Sequence, residues 1–454
     1  MSASNSLLSA PVRRTMMLLA LPVLGEQMLN FLVGTVDVYL AGNLTDGTSR
    51  AAVSAVGVAA YVGWFASLVF SLVGTGTTAL IARAWGAGQR EQANEVLNRS
   101  VALAWLMGIA FLIFIVPAAP YIARLMGLGN EELPIAVRYL RIDGIGLVFS
   151  SFTLVASAAL RGCGDMRTPM WILGAVNLLN VLLSMALVHG WGPLAPMGVD
   201  GIVVGTTCSR TLGALALLMS LVMGTSGLRL NLREWQLKGA TVRRILSIGG
   251  PSAAEGILTW IGHAIFLRMI SGEGNVAFNA HIIGVRVEAI SYLPAVAWGA
   301  AAATLVGQSL GAKDQDRAWR AGHEAALQCG LFGVLTSLLF VLYSGPILSL
   351  MHEDPAVREV GTSPLSLLGA FQIPLLLAIV YASALRGAGD TRFPFVISLI
   401  TNFALRIPVG YFFGVVLDMG LLGMWIGMCA DITGRWVLNT YRYWTGRWMH
   451  VIVG

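Results

Sequence analysis

Charged side chains are scarce in this chain of 454 residues. They make up 11% of it, whereas ordinary soluble domains carry roughly 25%. Hydrophobic residues make up 56%. A chain with so little charge cannot cover a water-exposed surface with polar groups, so these proportions exclude an ordinary soluble domain.

Sequence signatures of catalysis and of nucleotide binding are absent as well. The four cysteines, Cys163, Cys208, Cys329 and Cys429, are scattered without CxxC spacing, which indicates neither a disulfide framework nor a metal site. No HExxH or GxSxG context surrounds the six histidines, which disfavours an intramembrane hydrolase. Without a Walker A sequence, ATP hydrolysis is not expected. We therefore expect neither an enzyme nor a cofactor.

Long hydrophobic runs are present instead, and many exceed the ~20 residues that cross a bilayer core. Twelve runs are predicted to be membrane-spanning helices: 15–41, 52–83, 97–119, 134–160, 170–190, 198–224, 246–271, 277–307, 325–347, 362–385, 394–417 and 420–441. The first run follows Arg13 and Arg14, but it is too long for a cleaved signal peptide. The sequence predicts an all-α integral membrane protein.

Basic residues collect in alternate loops, as Arg83, Arg161, Arg244 and Arg386 illustrate. This asymmetry predicts that both termini are cytoplasmic, because positively charged loops stay on the inner side of a cell membrane. The net charge of +6 follows this topology. We therefore expect no nucleic-acid partner.

One motif occurs twice, 225 residues apart. Leu160-Arg-Gly-Cys-Gly-Asp-Met-Arg-Thr-Pro169 matches Leu385-Arg-Gly-Ala-Gly-Asp-Thr-Arg-Phe-Pro394, and Asn177 matches Asn402 at the same offset. Near the start of each half, Pro22 and Glu26 match Pro251 and Glu255. The motif glycines permit a tight turn, across which its Arg and Asp are expected to pair. Two halves of this kind are typical of transporters.

Six spans in each half place both halves in the same orientation, so the repeats are parallel and pseudo-symmetric. We predict an N-terminal six-helix bundle over 1–224, a cytoplasmic linker over 225–245 and a C-terminal six-helix bundle over 246–454. The linker is basic and amphipathic. It either lies on the membrane surface or acts as a plain tether.

At these motifs the chain resembles the multidrug and toxic compound extrusion (MATE) family. Span one reads Leu21-Pro22 and then Thr35-Val36-Asp37-Val38, which is similar to that family's proline-bent first helix with its membrane aspartate. The doubled Leu-Arg-Gly-x-Gly-Asp element and the basic, Trp-containing tail Arg442–Trp448 extend the resemblance over the chain. The resemblance implies two six-helix bundles and secondary active export.

Asp37 is the strongest candidate for coupling transport to an ion. A carboxylate in hydrocarbon costs about 2.5–3.5 kcal/mol, and burial favours its neutral, protonated form. A capping or snorkelling acid near the span end is the alternative. The resemblance adds Tyr139, Asn180 and Thr206 as neighbours, and it implies that some DinF-like members carry a second aspartate where Ser184 stands.

A single carboxylate makes a poor sodium cage, because hard cations favour several charged oxygens. The sequence therefore favours protons as the coupling ion, with Na⁺ at Asp37, Asn180 and Thr206 as the alternative. Replacing Ser184 with Asp is expected to increase sodium sensitivity.

The acids of the second half, with Glu26, are secondary candidates. Glu255 and Glu288 are expected to approach the same mid-membrane layer, and His263 lies two helical turns beyond Glu255. Arg286 and Arg406 are available as ion-pair partners. Coupling and structural pairing both remain open. The resemblance implies an acid in span ten of NorM-like members, and here that span has none. The chain is thus closer to the DinF-like branch.

The sequence thus predicts a monomeric antiporter of the cell inner membrane. It exports organic cations or amphipathic drugs in exchange for protons and contacts only membrane lipids besides its substrate. Sodium-coupled export by the same fold is the nearest alternative. A lipid-precursor flippase of the same broad superfamily is a further one, although flippases of that kind often carry additional helices and a cationic cavity.

Overall fold

The computed structural model describes residues 9–44, 49–191, 195–231 and 239–451. Within these ranges all regular structure is helical. The long helices are α1 Val12–Gly42, α2 Ser49–Gly86, α3 Arg90–Leu125, α4 Leu133–Gly162, α5 Arg167–His189, α6 Val199–Met223, α7 Ala240–Gly272, α8 Asn275–Gly311, α9 Gln315–Met351, α10 Pro355–Ala370, α11 Gln372–Gly387, α12 Arg392–Val416 and α13 Gly420–Trp444.

Ten of these helices are long and apolar enough to cross a membrane, and α10 with α11 forms an eleventh span bent by 53°. The remaining predicted span corresponds to α13, which carries Asp431, Arg435 and Arg442. Each of the twelve predicted spans coincides with one helix, or with the bent pair.

Two interruptions were not anticipated from the hydrophobic runs. Phe371 separates α10 from α11, and α12 contains two π-helical turns, Thr401–Arg406 and Phe412–Val416. Neither interruption changes the hydrophobicity of its span, so composition carries no sign of them. π-Helical turns often accompany functional or structurally specialised positions in α-helices.

Leucines on α9 form a stripe of exposed apolar side chains, which are Leu327, Leu331, Leu335, Leu338 and Leu342. Their three- and four-residue spacing places them on one helix face. In a membrane-spanning helix such a face meets acyl chains. Among the cysteines, Cys208 on α6 is exposed, whereas the other three are buried.

Contacts divide the chain into two compact units, Gly25–Gly249 and Met1–Leu24 together with Gly250–Gly454. Helices α1 and α7 therefore each run from one unit into the other, close to Pro22 and Pro251. The predicted boundaries at 1–224, 225–245 and 246–454 follow the sequence repeat and stay a prediction. Residues 232–238, within the predicted linker, lie outside the described residues.

The doubled motif forms the same turn in both halves, but its Arg and Asp do not pair with each other. Gly164 and Gly389 have φ of 93° and 90°, a left-handed conformation that glycine adopts readily. Arg161 instead binds Glu26 at 2.5 Å. Asp165 accepts hydrogen bonds from the backbone N–H groups of Arg167 and Thr168, and so caps α5. The expected Arg–Asp pair within the motif was wrong, because Arg161 binds Glu26 of α1, and Asp165 binds the start of α5 and Ser226 instead.

Candidate functional site

A cavity of about 630 Å³ lies within the unit Gly25–Gly249. Five helices form its wall, through residues between 26–38 of α1, 56–67 of α2, 139–161 of α4, 173–180 of α5 and 206–213 of α6. Its polar groups lie toward two ends. Asp37 and Glu26, which line the cavity from α1, are separated by about 16 Å of helix rise.

Asp37, Asn180 and Thr206 line the same cavity from three helices. The Asn180 amide Nδ2 donates to Thr206 Oγ1 at 3.1 Å, and Thr206 Oγ1 donates to the Ile202 carbonyl at 3.0 Å. Two buried oxygens, Asp37 Oδ1 and Asn180 Oδ1, have no hydrogen-bond partner among the described residues. Asp37 therefore belongs to the cavity wall and not to the lipid surface, and two acceptor oxygens there are available to a ligand.

Tyr139 also lines the cavity and is only 4% exposed. Ser184 does not line it. This side chain is fully buried where α5 crosses α6, and its Oγ donates to the Ile202 carbonyl at 3.4 Å. Gly205 makes this close crossing possible, since a Cβ there would lie 2.6 Å from Ser184 Oγ. Four of the five principal candidates thus share the cavity, and Ser184 supports its wall from behind.

An ion pair that was not among the sequence predictions also lines the cavity. Arg210 Nη1 binds Asp143 Oδ1 at 2.6 Å, and both residues belong to the wall. Asp37 lines the same cavity as this pair. Spacing could have revealed them, because Asp143 follows Tyr139 by four residues and Arg210 follows Thr206 by four. Residues four apart share a helix face.

At the opposite end of the cavity, polar groups pair with one another. Glu26 binds Arg161 across α1 and α4, and the Asn177 amide donates to Asn30 Oδ1 at 2.8 Å. Glu26, a secondary candidate, is therefore charge-compensated. Its buried Oε2 has no hydrogen-bond partner within the described part of the chain.

The secondary candidates of the second half lie outside this cavity. Glu255 binds Arg386 at 2.8 Å and accepts a hydrogen bond from Ser398 at 2.6 Å. Its partner is thus neither Arg286 nor Arg406, the two cations suggested by the sequence. Glu288 and His263 are half-buried, and the His263 Nδ1 atom has no hydrogen-bond partner among the described residues.

Arg406 is nevertheless part of a buried network. It lies 3.6 Å from Asp431, and Asp431 binds Arg435 at 2.7 Å. Its guanidinium lies over the Phe266 ring, 4.7 Å from the centroid. No cluster of three or more potential metal ligands of the His, Cys, Asp and Glu types occurs in the described ranges.

A helical membrane fold with an internal repeat and a polar cavity among its helices is the architecture of a secondary transporter. The MatE family model matches residues 22–186 and 251–412, one segment in each half. The chain belongs to this family of transporters, which confirms that it is a transporter and not an enzyme.

Individual relatives match nearly the whole chain. A probable multidrug resistance protein NorM of Thermotoga maritima is 32% identical over 438 residues, covering 96% of this chain and 93% of its own. An uncharacterized transporter YisQ of Bacillus subtilis is 25% identical, covering 98% and 97%.

Solved structures match in fold. The crystal structure of MATE in the bent conformation has a TM-score of 0.88 at 21% identity and covers 98% of this chain and 97% of its own. The outward-facing conformation of a multidrug resistance MATE family transporter of the MOP superfamily has a TM-score of 0.87, with 98% of both chains covered. The predicted all-α, twelve-helix membrane fold in two bundles is confirmed.

Proposed function

We propose that this protein exports organic cations or amphipathic drugs across the cell inner membrane in exchange for protons. Family membership supports secondary transport, and several relatives bear the name multidrug resistance protein. The observation that carries the proposal is the buried Oδ1 of Asp37, which faces the cavity without a hydrogen-bond partner among the described residues.

An ionised carboxylate in this position is costly unless a cation compensates it. Two ligands can do so, a proton or the positive group of a substrate. Because both bind the same oxygens, they compete. Proton entry at Asp37 therefore displaces the cation, and proton loss prepares the site for the next one. Exchange of the two follows from the shared carboxylate, and this exchange is the basis of antiport.

Sodium coupling at Asp37, Asn180 and Thr206 is the alternative. Asn180 and Thr206 are hydrogen-bonded to each other, but Ser184, the place for a second carboxylate, points into the α5–α6 crossing. A sodium site here has one charged ligand, and hard cations prefer more. This donor set favours protons.

The branch of the family, the orientation of the termini and the oligomeric state belong to the same proposal. Absence of an acid from span ten supports the DinF-like branch, and the distribution of basic loops supports cytoplasmic termini. We also propose that the protein acts as a monomer, since its cavity is formed within one chain.

Reconstitution into proteoliposomes tests the proposal, with proton and sodium gradients imposed separately. A pH gradient alone is expected to drive dye transport in the wild type, and Asp37→Asn is expected to abolish it while leaving the amount of folded protein unchanged. Asp200→Asn serves as the control, because Asp200 lies outside the cavity wall and binds Arg138. Transport that follows sodium and ignores pH contradicts the proton assignment, and full activity of Asp37→Asn removes this residue from the mechanism.

A further inference from the structure

We infer that Arg210 sets the charge of the cations this transporter accepts, by leaving its cavity with a single net negative charge. This inference rests on the proposed export of cations and specifies it. Five charged side chains line the cavity wall, and these are Glu26, Asp37, Asp143, Arg161 and Arg210. Three acids and two arginines leave one negative charge when all are ionised.

The geometry assigns that charge to one residue. Glu26 binds Arg161, and Asp143 binds Arg210, so each arginine neutralises one acid. Asp37 has no ion-pair partner among the described residues. The cavity therefore carries a charge of −1 when Asp37 is ionised and of zero when it is protonated.

Burial lets the net charge of these side chains act strongly inside the cavity. The Asp143 and Glu26 side chains are 6% and 3% exposed, so water screens them little. The Arg210 side chain is 32% exposed and lines the same cavity as Asp37, so its charge acts inside the cavity. A monocation compensates Asp37 completely. The second charge of a dication has no partner in this cavity and is rejected.

Arg210 is thus a specificity-determining residue. Removing its charge leaves Asp143 unpaired, so the cavity carries −2 and suits a dication. Removing the charge of Asp143 instead leaves Arg210 unpaired, so the cavity carries no net charge and binds cations weakly. Removing both charges restores −1. The two single changes act in opposite directions, which a purely structural role of the pair does not predict.

Ethidium and propidium are suitable probes, because they share a phenanthridinium ring and propidium carries a second, quaternary ammonium charge. Their dissociation constants are measured by fluorescence on purified protein without an ion gradient. One unit charge about 10 Å away, at an effective dielectric constant of about 20, changes affinity roughly tenfold. We expect the wild type to prefer ethidium and Arg210→Gln to shift the affinity ratio roughly tenfold toward propidium.

Two further variants complete the charge series. Asp143→Asn is expected to weaken ethidium binding roughly tenfold. The double variant Asp143→Asn with Arg210→Gln is expected to recover the wild-type ratio. This double variant leaves neither Asp143 nor Arg210 as an unpaired charge, and it keeps the inference testable if Arg210→Gln does not fold.

Arg138→Gln is the matched control. Arg138 also pairs α4 with α6, through Asp200, but its side chain is 59% exposed and outside the cavity wall. It is expected to keep the wild-type ratio. An equal ratio in Arg210→Gln, Arg138→Gln and wild type overturns the inference, as does a double variant that fails to recover. Wild-type protein that binds neither dye contradicts the proposed function itself.

Discussion

The two halves of this protein share a scaffold and differ in what they hold. In each half, an acid after the first helix's proline binds the arginine of the doubled motif, Glu26 with Arg161 and Glu255 with Arg386. The motif aspartate of each half then binds a residue near the end of the half's last long helix. Asp165 accepts a hydrogen bond from Ser226, just after α6, and Asp390 binds Arg442, in the last turn of α13, at 2.8 Å.

A second shared element, a helix crossing at two glycines, shows which residues of the two halves correspond to each other. Gly201 and Gly205 bring α6 against Leu187 and Ser184 of α5. Their counterparts Gly423 and Gly427 bring α13 against Phe413 and Gly410 of α12 in the same order. A Cβ at any of these glycines would lie within 3 Å of the facing helix.

In this register, the candidate site residues of the first half correspond to residues of different types in the second half. Ser184 and Gly410 match at these crossings, and four residues before them Asn180 corresponds to Arg406. Pro22 matches Pro251, and fifteen residues after them Asp37 corresponds to Phe266. The offset in residue number between matching positions of α5 and α12 grows by one from the pair Asn177 and Asn402 to the pair Asn180 and Arg406. In α12 this stretch forms the first π-helical turn. An added residue is the usual origin of such a turn.

The consequence is that the first half has a cavity with an acid, Asp37, that has no ion-pair partner among the described residues, whereas Arg406 and Asp431 form a buried network at the equivalent place in the second half. Arg406 stacks on Phe266 and lies beside Asp431. These scaffold contacts are the same in both halves, so we expect them to serve the fold first. We expect transport to depend mainly on the few positions at which the halves differ.

Placing the arginine of the second half at the equivalent position of the first half is expected to have the largest effect. In Asn180→Arg the new guanidinium takes the place that Arg406 occupies in the other half, beside Asp37. It then pairs with Asp37 and excludes the substrate cation, so ethidium efflux from proteoliposomes is expected to fall to background. Asn180→Gln, which keeps the amide, is the control, and efflux that persists in Asn180→Arg contradicts the proposed position of the site.

The two Glu–Arg pairs are expected to be equivalent in stability. Arg161→Gln and Arg386→Gln each leave a buried glutamate without its cation, which costs on the order of 3–5 kcal/mol. Thermal unfolding in detergent is expected to show similar losses for both variants. A large loss for one and none for the other shows that the halves do not share this element.

A smaller and again equal loss is expected at the helix crossings. Gly205→Ala and Gly427→Ala each place a methyl group against backbone atoms of the facing helix, and overpacking of this kind costs about 1–3 kcal/mol. The unfolding temperature measures the loss. Gly34→Ala, at a position where a Cβ meets nothing within 4 Å, is the control.

The smallest effect is expected at the motif aspartate of the first half. Asp165→Ala removes the side chain that accepts from the first backbone N–H groups of α5, and loss of such a cap costs about 0.5–2 kcal/mol. Asp165→Ser retains capping ability and is expected to recover most of the stability. Equal unfolding temperatures for Asp165→Ala and wild type show that the cap contributes nothing.

Much of the fold could be predicted because membrane helices are recognised from their own composition. Each hydrophobic run needed only to be long and apolar, and each corresponds to one helix or one bent pair. The break at Phe371 and the π-helical turns of α12 could not be predicted, since they depend on packing against other helices. The partner of Arg161 was missed for the same reason, because Glu26 lies 135 residues away.

The candidate site was predicted from the cost of burying a carboxylate and from the family resemblance, and these gave Asp37, Tyr139, Asn180 and Thr206. Their part in transport stays a prediction. Arg210 and Asp143 are not among the predicted site residues, although they form an ion pair in the cavity wall. A residue can form an ion pair and still line the cavity. Only the positions of α4 and α6 in the structure show that Asp143 and Arg210 do both.

The burial of the cysteines determines how this transporter meets thiol reagents. Cys163, Cys329 and Cys429 are buried. Cys208 is exposed on α6, but it lies outside the cavity wall and near the middle of a membrane-spanning helix, so its thiol meets acyl chains. Because the thiolate is the reactive form and hydrocarbon disfavours its charge, all four thiols are expected to resist a charged, water-soluble maleimide while the protein is in the membrane.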